Sequence, residues 1–191
     1  MSGGERVPLD EALGAARGLA YLIKDACVRV EIAGSIRRQK PTIGDIDLVV
    51  EPFMANVFDM FGEASGEMAN LTDERLDELV AIEKIGKRLD KNGRPAWGEQ
   101  LKRATYNGLN VDIQSVLDPQ TWGMWLLIRT GPADFNRRIV TPRWQGGLLP
   151  PGMEVRDGFQ LWRMGARVPT PTEHSVFDAY GLDYVAPEDR Q

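Results

Sequence analysis

Gly34-Ser35-Ile36-Arg37-Arg38, then five residues, then Gly44-Asp45-Ile46-Asp47-Leu48-Val49-Val50: the reading of this stretch decides the fold. Its second half reads as a strand closed by Pro52. Side chains alternate faces along a strand, so Asp45 and Asp47 project together while Ile46 and Leu48 point the other way. Two carboxylates side by side repel each other, and a shared divalent cation would remove that conflict. Taken alone, Asp-x-Asp is equally an exposed strand face. The first half follows an alternating strand over residues 28–33 and opens a short helix. Glycine lets backbone approach a phosphate closely, and a helix N-terminus offers free N–H groups. Singly, Gly-Ser is an ordinary strand-to-helix turn and Arg-Arg a solvated helix face. Joined at this separation, the two halves point to phosphate and metal chemistry.

Upstream, Leu9, Ala12, Leu13, Ala16, Leu19, Ala20 and Ile23 recur at helical spacing, and Asp10 and Glu11 fall in the first turn of the helix they predict. Downstream, helical patterning is expected near residues 57–61 and 73–79, and β signals run over 80–116. Asn92-Gly93 and Asn107-Gly108 are hairpin-turn dipeptides, and the second joins strands 101–106 and 109–116. Asp112 therefore lies on a strand between Val111 and Ile113, which face the core while it faces away. Asp118-Pro119 supplies a helix cap, and a boundary is placed near residue 118. Beyond it come an apolar helix with Trp122 and Trp125, a short helix at 135–140 and short strands around 159–162. A last helix starts at Thr170-Pro171-Thr172-Glu173 and stops at Gly181.

The 191 residues carry 42% hydrophobic and 27% charged side chains, enough for a sizeable core and no signature of disorder. No run of eighteen apolar residues predicts a membrane span, and Met1-Ser2-Gly3-Gly4-Glu5-Arg6 lacks a signal-peptide build. With Cys27 the single cysteine, no internal disulfide forms; a soluble, intracellular monomer in a reducing compartment is expected. The net charge of −5 divides by segment. Acids (Glu51, Asp59, Glu63, Glu67, Asp73, Glu74, Asp77, Glu78) crowd one stretch, while Lys84, Lys87, Arg88, Lys91, Arg94, Lys102 and Arg103, and later Arg129, Arg137, Arg138 and Arg143, form basic groups. Local basic surface, rather than net charge, governs phosphate contact.

The run quoted at the outset resembles the nucleotide- and metal-binding motif of the family X DNA polymerases. Val111-Asp112-Ile113 is similar to that family's third metal-ligand strand. Leu126-Leu127, Thr130-Gly131 and Phe135-Asn136 are similar to its thumb helix. Val176-Phe177-Asp178, Tyr184 and Pro187-Glu188-Asp189-Arg190 match its closing residues. The similarity spans nearly the whole chain and is weak from Phe53 to Gly108.

The resemblance implies an α+β fold: a nucleotidyltransferase palm over residues 1–118, a twisted mixed sheet with helices on one side, followed by a small α/β thumb over 119–191. It implies that Asp45, Asp47 and Asp112 are catalytic and hold two Mg²⁺ ions, with Mn²⁺ as a substitute, and that Asp112 accepts the primer 3′-hydroxyl proton. Gly34, Ser35, Arg38, Gly44, Gly131 and Asn136 would bind a deoxynucleoside triphosphate. Arg137, Arg138 and Arg143 would meet a DNA primer–template or gapped duplex.

The chain departs from the pattern in four places. It has no room for lyase and fingers domains. The triphosphate arginine expected near Leu9 is replaced, if at all, by Arg6 or Arg17. Ile128-Arg129 stands where an aromatic pair is usual, and Asn110 stands for an arginine. Templated gap filling is the first reading. Terminal-transferase-like addition, nucleotidylation of a protein or small molecule, and a catalytically silent DNA-end-binding module remain open.

Four conspicuous aromatic residues are read as follows. Trp122 and Trp125 are core, His174 is surface structure, and Trp144 is the better base-stacking candidate. Glu173 has two readings: by resemblance it pairs with Arg37, and by local spacing it closes a capping box with Thr170.

Overall fold

The computed structural model describes residues 6–58 and 60–190. Met1–Glu5, read above for a leader, and Asp59 of the acidic run lie outside them. The chain runs β1 (Val7–Pro8), α1 (Leu9–Ile23), β2 (Cys27–Ile32), α2 (Gly34–Arg37), β3 (Thr42–Ile43) and β4 (Asp45–Pro52). It continues through β5 (Met54–Phe58), β6 (Ala64–Asn70), α3 (Leu71–Ala81), β7 (Gly86–Lys87), β8 (Leu101–Tyr106) and β9 (Leu109–Ser115). Last come α4 (Trp122–Thr130), α5 (Ala133–Val140), β10 (Met153–Arg156), β11 (Gln160–Arg163), β12 (Ala166–Val168) and α6 (Glu173–Tyr180).

This is an α+β protein built on a mixed five-stranded sheet, order β2-β4-β9-β8-β7, in which only the β4–β9 pair is parallel. One face is apolar: Ile46, Leu48 and Val50 of β4 and Val111 and Ile113 of β9 pack with Ala12, Ala16, Leu19 and Ile23 of α1 and Leu76 and Leu79 of α3. All of these are 1% exposed or less, so this is the principal core. The opposite face is split. Val49, Ala33 and Val116 pack against Trp122, Trp125 and Leu126, so α4 covers that part. The helices α1 and α3 pack on one face, whereas α4, which follows the boundary placed near residue 118, covers part of the other. The part that α4 leaves uncovered carries Asp45, Asp47 and Asp112.

Strand β8 turns into β9 at Asn107-Gly108, both with positive φ (49° and 78°), the conformation that a two-residue hairpin matched to strand twist requires. The C-terminal layer has its own core of Met124, Leu127, Phe135, Ile139, Leu161, Val176, Phe177 and Tyr180. Gly123 lets α4 press on the segment before α6: a Cβ there would lie 2.0 Å from the Thr172 carbonyl oxygen.

Two local expectations are corrected. Residues 57, 58, 60 and 61 are not helical; β5 pairs antiparallel with β6 as a two-stranded ribbon. Met54 and Phe58 pair with Asn70 and Ala64, on either side of the Asn56–Met68 pair, an alternation that five residues cannot distinguish from one helical turn. The capping box of the last helix is Thr172 with Ser175, because Thr170 N–H instead donates to the Gln120 carbonyl (2.6 Å). That shift leaves the Glu173 side chain free for other partners. No helix among the described residues is long and apolar enough to cross a membrane.

Candidate functional site

Parallel pairing of β4 with β9 sets Asp47 level with Asp112 and Asp45 level with Asn110. Paired residues of adjacent strands share a face, so all three aspartates project from the side opposite the principal core. Asp45 is exposed, and Asp47 and Asp112 are partly buried. Burial, then the charges of Asp45 and Asp112, push the Asp47 carboxyl up to about 7 against the opposing pull of Arg129 and Arg38. The mutual repulsion inferred from sequence is thus expressed in the folded protein.

Helix α2 opens immediately over this cluster. Gly34 has φ +61°, and a Cβ on it would sit 1.9 Å from Asp47 Oδ2. No side chain fits there without moving the carboxylate. The Ala33 N–H donates to the Asp47 carbonyl (2.9 Å), fixing the strand-to-helix turn against β4. Ser35 Oγ and Arg38 Nε are buried without a hydrogen-bond partner among the described residues. Leaving such groups unpaired costs roughly 1–3 kcal/mol each, so their concentration beside the carboxylates marks a place built for a polar ligand.

Arg37 and Arg38 diverge. Arg37 makes a bidentate pair with Glu173 (2.9 and 2.8 Å) and donates to Thr130 Oγ1 (2.9 Å). Glu173 also accepts from Arg190 (2.8 Å) and Tyr184 (3.0 Å). Burial alone would raise the Glu173 carboxyl, but the hydrogen bonds and charges of Arg37 and Arg190 hold it below the usual range. The resemblance-based reading of Glu173 is therefore what forms, and the Thr170 box does not. Arg38 donates to the Thr130 carbonyl, and its pKa is lowered by burial, with Asp47 opposing and Arg190 reinforcing. With Glu173 occupied by Arg37 and Arg190, Arg38 is left as surplus positive charge.

Other expected contacts are placed as follows. Gly44 lies beside Arg6, whose Nη1 would be 3.7 Å from a Cβ there. Arg6 bonds to Thr42, while Arg17 is exposed on α1. Gly131 abuts Arg38: a Cβ would stand 2.9 Å from its Nη1. Asn136 donates through Nδ2 to the Ile128 carbonyl (2.6 Å), leaving its buried Oδ1 without a partner among the described residues. Arg138 is exposed, and Arg137 pairs with exposed Asp134. Arg143 instead spends its guanidinium on the Leu148 and Tyr180 carbonyls. Trp122 and Trp125 are core, Trp144 is 80% exposed, and exposed His174 stacks on Tyr184.

Three arginines at the carboxylates were not assigned there from sequence. Arg103 lies directly across from Asp112 in the β8–β9 register, with Nε 3.4 Å from Oδ2, and Arg88 Nη1 is 3.2 Å from Oδ1. The signal existed: a two-residue Asn107-Gly108 turn pairs Tyr106 with Leu109, and counting back pairs Arg103 with Asp112. Arg129 lies over the stacked rings of Trp125 and Phe159, its buried Nε unpartnered among the described residues. Burial lowers its pKa, with Asp47 and Asp112 opposing.

The residues fit a divalent cation in part. Asp45 and Asp47 offer oxygen donors on a rigid strand, the chemistry Mg²⁺ favours. Yet among the described residues no three His, Cys, Asp or Glu side chains are gathered as one donor set, and both Asp112 oxygens face guanidiniums. No family model matches the chain, and no curated protein matches it.

Proposed function

We propose that the chain is a magnesium-dependent nucleotidyltransferase of the family X DNA polymerase type, with residues 1–118 as palm and 119–191 as thumb. It would add a deoxynucleoside monophosphate to a DNA 3′-hydroxyl in gap filling. The observation that carries this reading is the packing of the Gly34 turn onto Asp47, with Asp45 and Asp112 on the same face and Ser35 Oγ and Arg38 Nε unsatisfied beside them.

In the transfer, the 3′-oxygen forms a bond to the α-phosphorus. The bond from that phosphorus to the oxygen bridging to the β-phosphate breaks, and pyrophosphate leaves. Such reactions depend on positioning and charge stabilisation rather than covalent catalysis. Asp45 and Asp47 would hold Mg²⁺, joined by Asp112. Bound there, the metal would neutralise charge on the attacking and leaving oxygens. Ser35 Oγ, Arg38 and the backbone N–H groups at the start of α2 would hold the triphosphate. Asp112 would take the 3′-hydroxyl proton. Asn136 Oδ1 is the acceptor left over for the base or its minor-groove edge.

Primer extension on DNA with a one-nucleotide gap tests the reading, each deoxynucleotide being offered separately against each template base. The expected result is Mg²⁺- or Mn²⁺-dependent addition of the complementary nucleotide, abolished by Asp47→Asn or Asp112→Asn in folded protein. Addition regardless of template base would favour the terminal-transferase alternative. No addition under any metal would refute the proposal.

A further inference from the structure

The Asp112 carboxylate is held by two guanidiniums, and the holding differs in kind from that of Glu173. At Glu173 the arginine contacts are 2.8–2.9 Å and its side chain is 4% exposed. At Asp112 they are 3.2 and 3.4 Å, with Arg88 and Arg103 side chains 32% and 44% exposed. Charge-assisted hydrogen bonds optimise near 2.7–2.9 Å, and exposed ion pairs are weak and screened. The Asp112 pairs are therefore easily exchanged, whereas those of Glu173 are permanent architecture.

Backbone geometry fixes the two arginines together. Arg103 faces Asp112 through strand register, and the Arg88 N–H donates to the Arg103 carbonyl (2.9 Å). Two cations on one carboxylate leave one positive charge in excess. The loop after Arg88 extends this basic edge with exposed Lys91 and Arg94, neither of which makes an ion pair with another described residue. By contrast Lys102 is buried on Asp73 and Lys87 pairs with Asp77, so those two are not part of it.

We propose that Arg88 and Arg103 form a clamp that withholds Asp112 from the cation site until the backbone phosphates of a DNA strand displace it. This rests on the nucleotidyltransferase reading and adds a regulation to it. A phosphodiester strand brings anions that compete with Asp112 for both guanidiniums. Once released, Asp112 can join Asp45 and Asp47. Strand and cation then bind with positive coupling, and linkage makes that coupling equal in both directions.

The test is Mn²⁺ binding followed by electron paramagnetic resonance at fixed ionic strength, without nucleotide. It uses the protein alone and with excess gapped DNA, the metal taken up by DNA itself being subtracted. DNA should tighten Mn²⁺ binding by about tenfold, within the usual range of allosteric coupling. Arg88→Gln/Arg103→Gln should bind Mn²⁺ more tightly than wild type in the absence of DNA, and DNA should tighten it no further. The single variants should fall between, which guards against a misfolded double variant. Sulfate at matched ionic strength is a second arm, and tightening by sulfate equal to that by DNA would overturn the assignment to a strand. Mn²⁺ binding that is indifferent to DNA in wild type, or equally coupled in the double variant, would overturn the clamp alone. Absence of Mn²⁺ binding in every state would instead remove the metal site and the nucleotidyltransferase reading with it.

Discussion

Replacing Glu173 by alanine would strand two guanidiniums in a place with little water. The carboxylate accepts two bonds from Arg37, one from Arg190 and one from Tyr184. The Arg190 side chain is 0% exposed and that of Arg37 22%. Removing one member of a buried charge group costs roughly 3–5 kcal/mol, because the remaining charges stay desolvated and unpaired. For a chain of this size each kcal/mol lowers Tm by about 2–4 °C, giving a fall of about 6–20 °C. Thermal unfolding by circular dichroism measures it. The sign with pH is fixed: the Glu173 carboxyl lies below its unfolded value, so its contribution is present above the unfolded pKa and lost as pH falls through the folded one. The difference between wild type and Glu173→Ala should therefore shrink in acid. Because Arg37 also ties α2 to Thr130 of α4, the proposed function requires that the variant lose transferase activity more than cation affinity. A loss of only about 0.5–2 kcal/mol, with turnover unchanged, is what a helix cap alone would give, and it would refute the buried cluster as the link between the two layers.

Three further outcomes follow from the same geometry. Gly34→Ala places a methyl where Asp47 Oδ2 stands and forces a left-handed conformation costing about 1–2 kcal/mol, so the protein should fold with reduced Tm and lose Mn²⁺ binding in titration. The Asp47 carboxyl, raised to about 7, makes the fold bind a proton that the unfolded chain releases near pH 4. Stability should thus decline by up to about 4 kcal/mol as pH rises from about 4 to about 7; Asp47→Asn should remove that decline in denaturant titrations across pH, and Mg²⁺ should stabilise wild type more at pH 8 than at pH 5. On the proposed function, charge reversal at Arg138 should weaken DNA binding about equally for all sequences and flatten its salt dependence, read by fluorescence anisotropy, since phosphate contacts carry no base information.

Much of this was legible in the sequence where periodicity and spacing act locally. Helix α1 occupies the span its apolar period marks, and the alternation around Asp45, Asp47 and Asp112 gives the correct face for each. What escaped depends on partners distant in the chain. The acidic ribbon β5–β6 owes its form to cross-strand pairing, which five residues of pattern do not encode. Arg143 looks like surface charge until the carbonyl of Tyr180 arrives to accept its hydrogen bond. Phe159 gave no hint of stacking on Trp125 at 3.5 Å between ring centroids, since the contact joins two separate segments of the chain. The Arg88 and Arg103 contacts combine both cases: the hairpin turn fixes Arg103, and only tertiary structure brings in Arg88.

The parallel β4–β9 pair has a consequence for how the chain reaches this structure. Asp47 and Asp112 become neighbours only when residues far apart in sequence meet, after a long loop has closed at an entropic cost. Antiparallel β8–β9, joined by its two-residue turn, can form early. Electrostatic repulsion among the carboxylates is thus absent from the early hairpin and arises as the central strands dock. A cation drawn to this cluster would find no complete site on a half-folded chain. It would act chiefly by slowing the escape from the native state, lengthening the lifetime of the finished protein more than hastening its assembly.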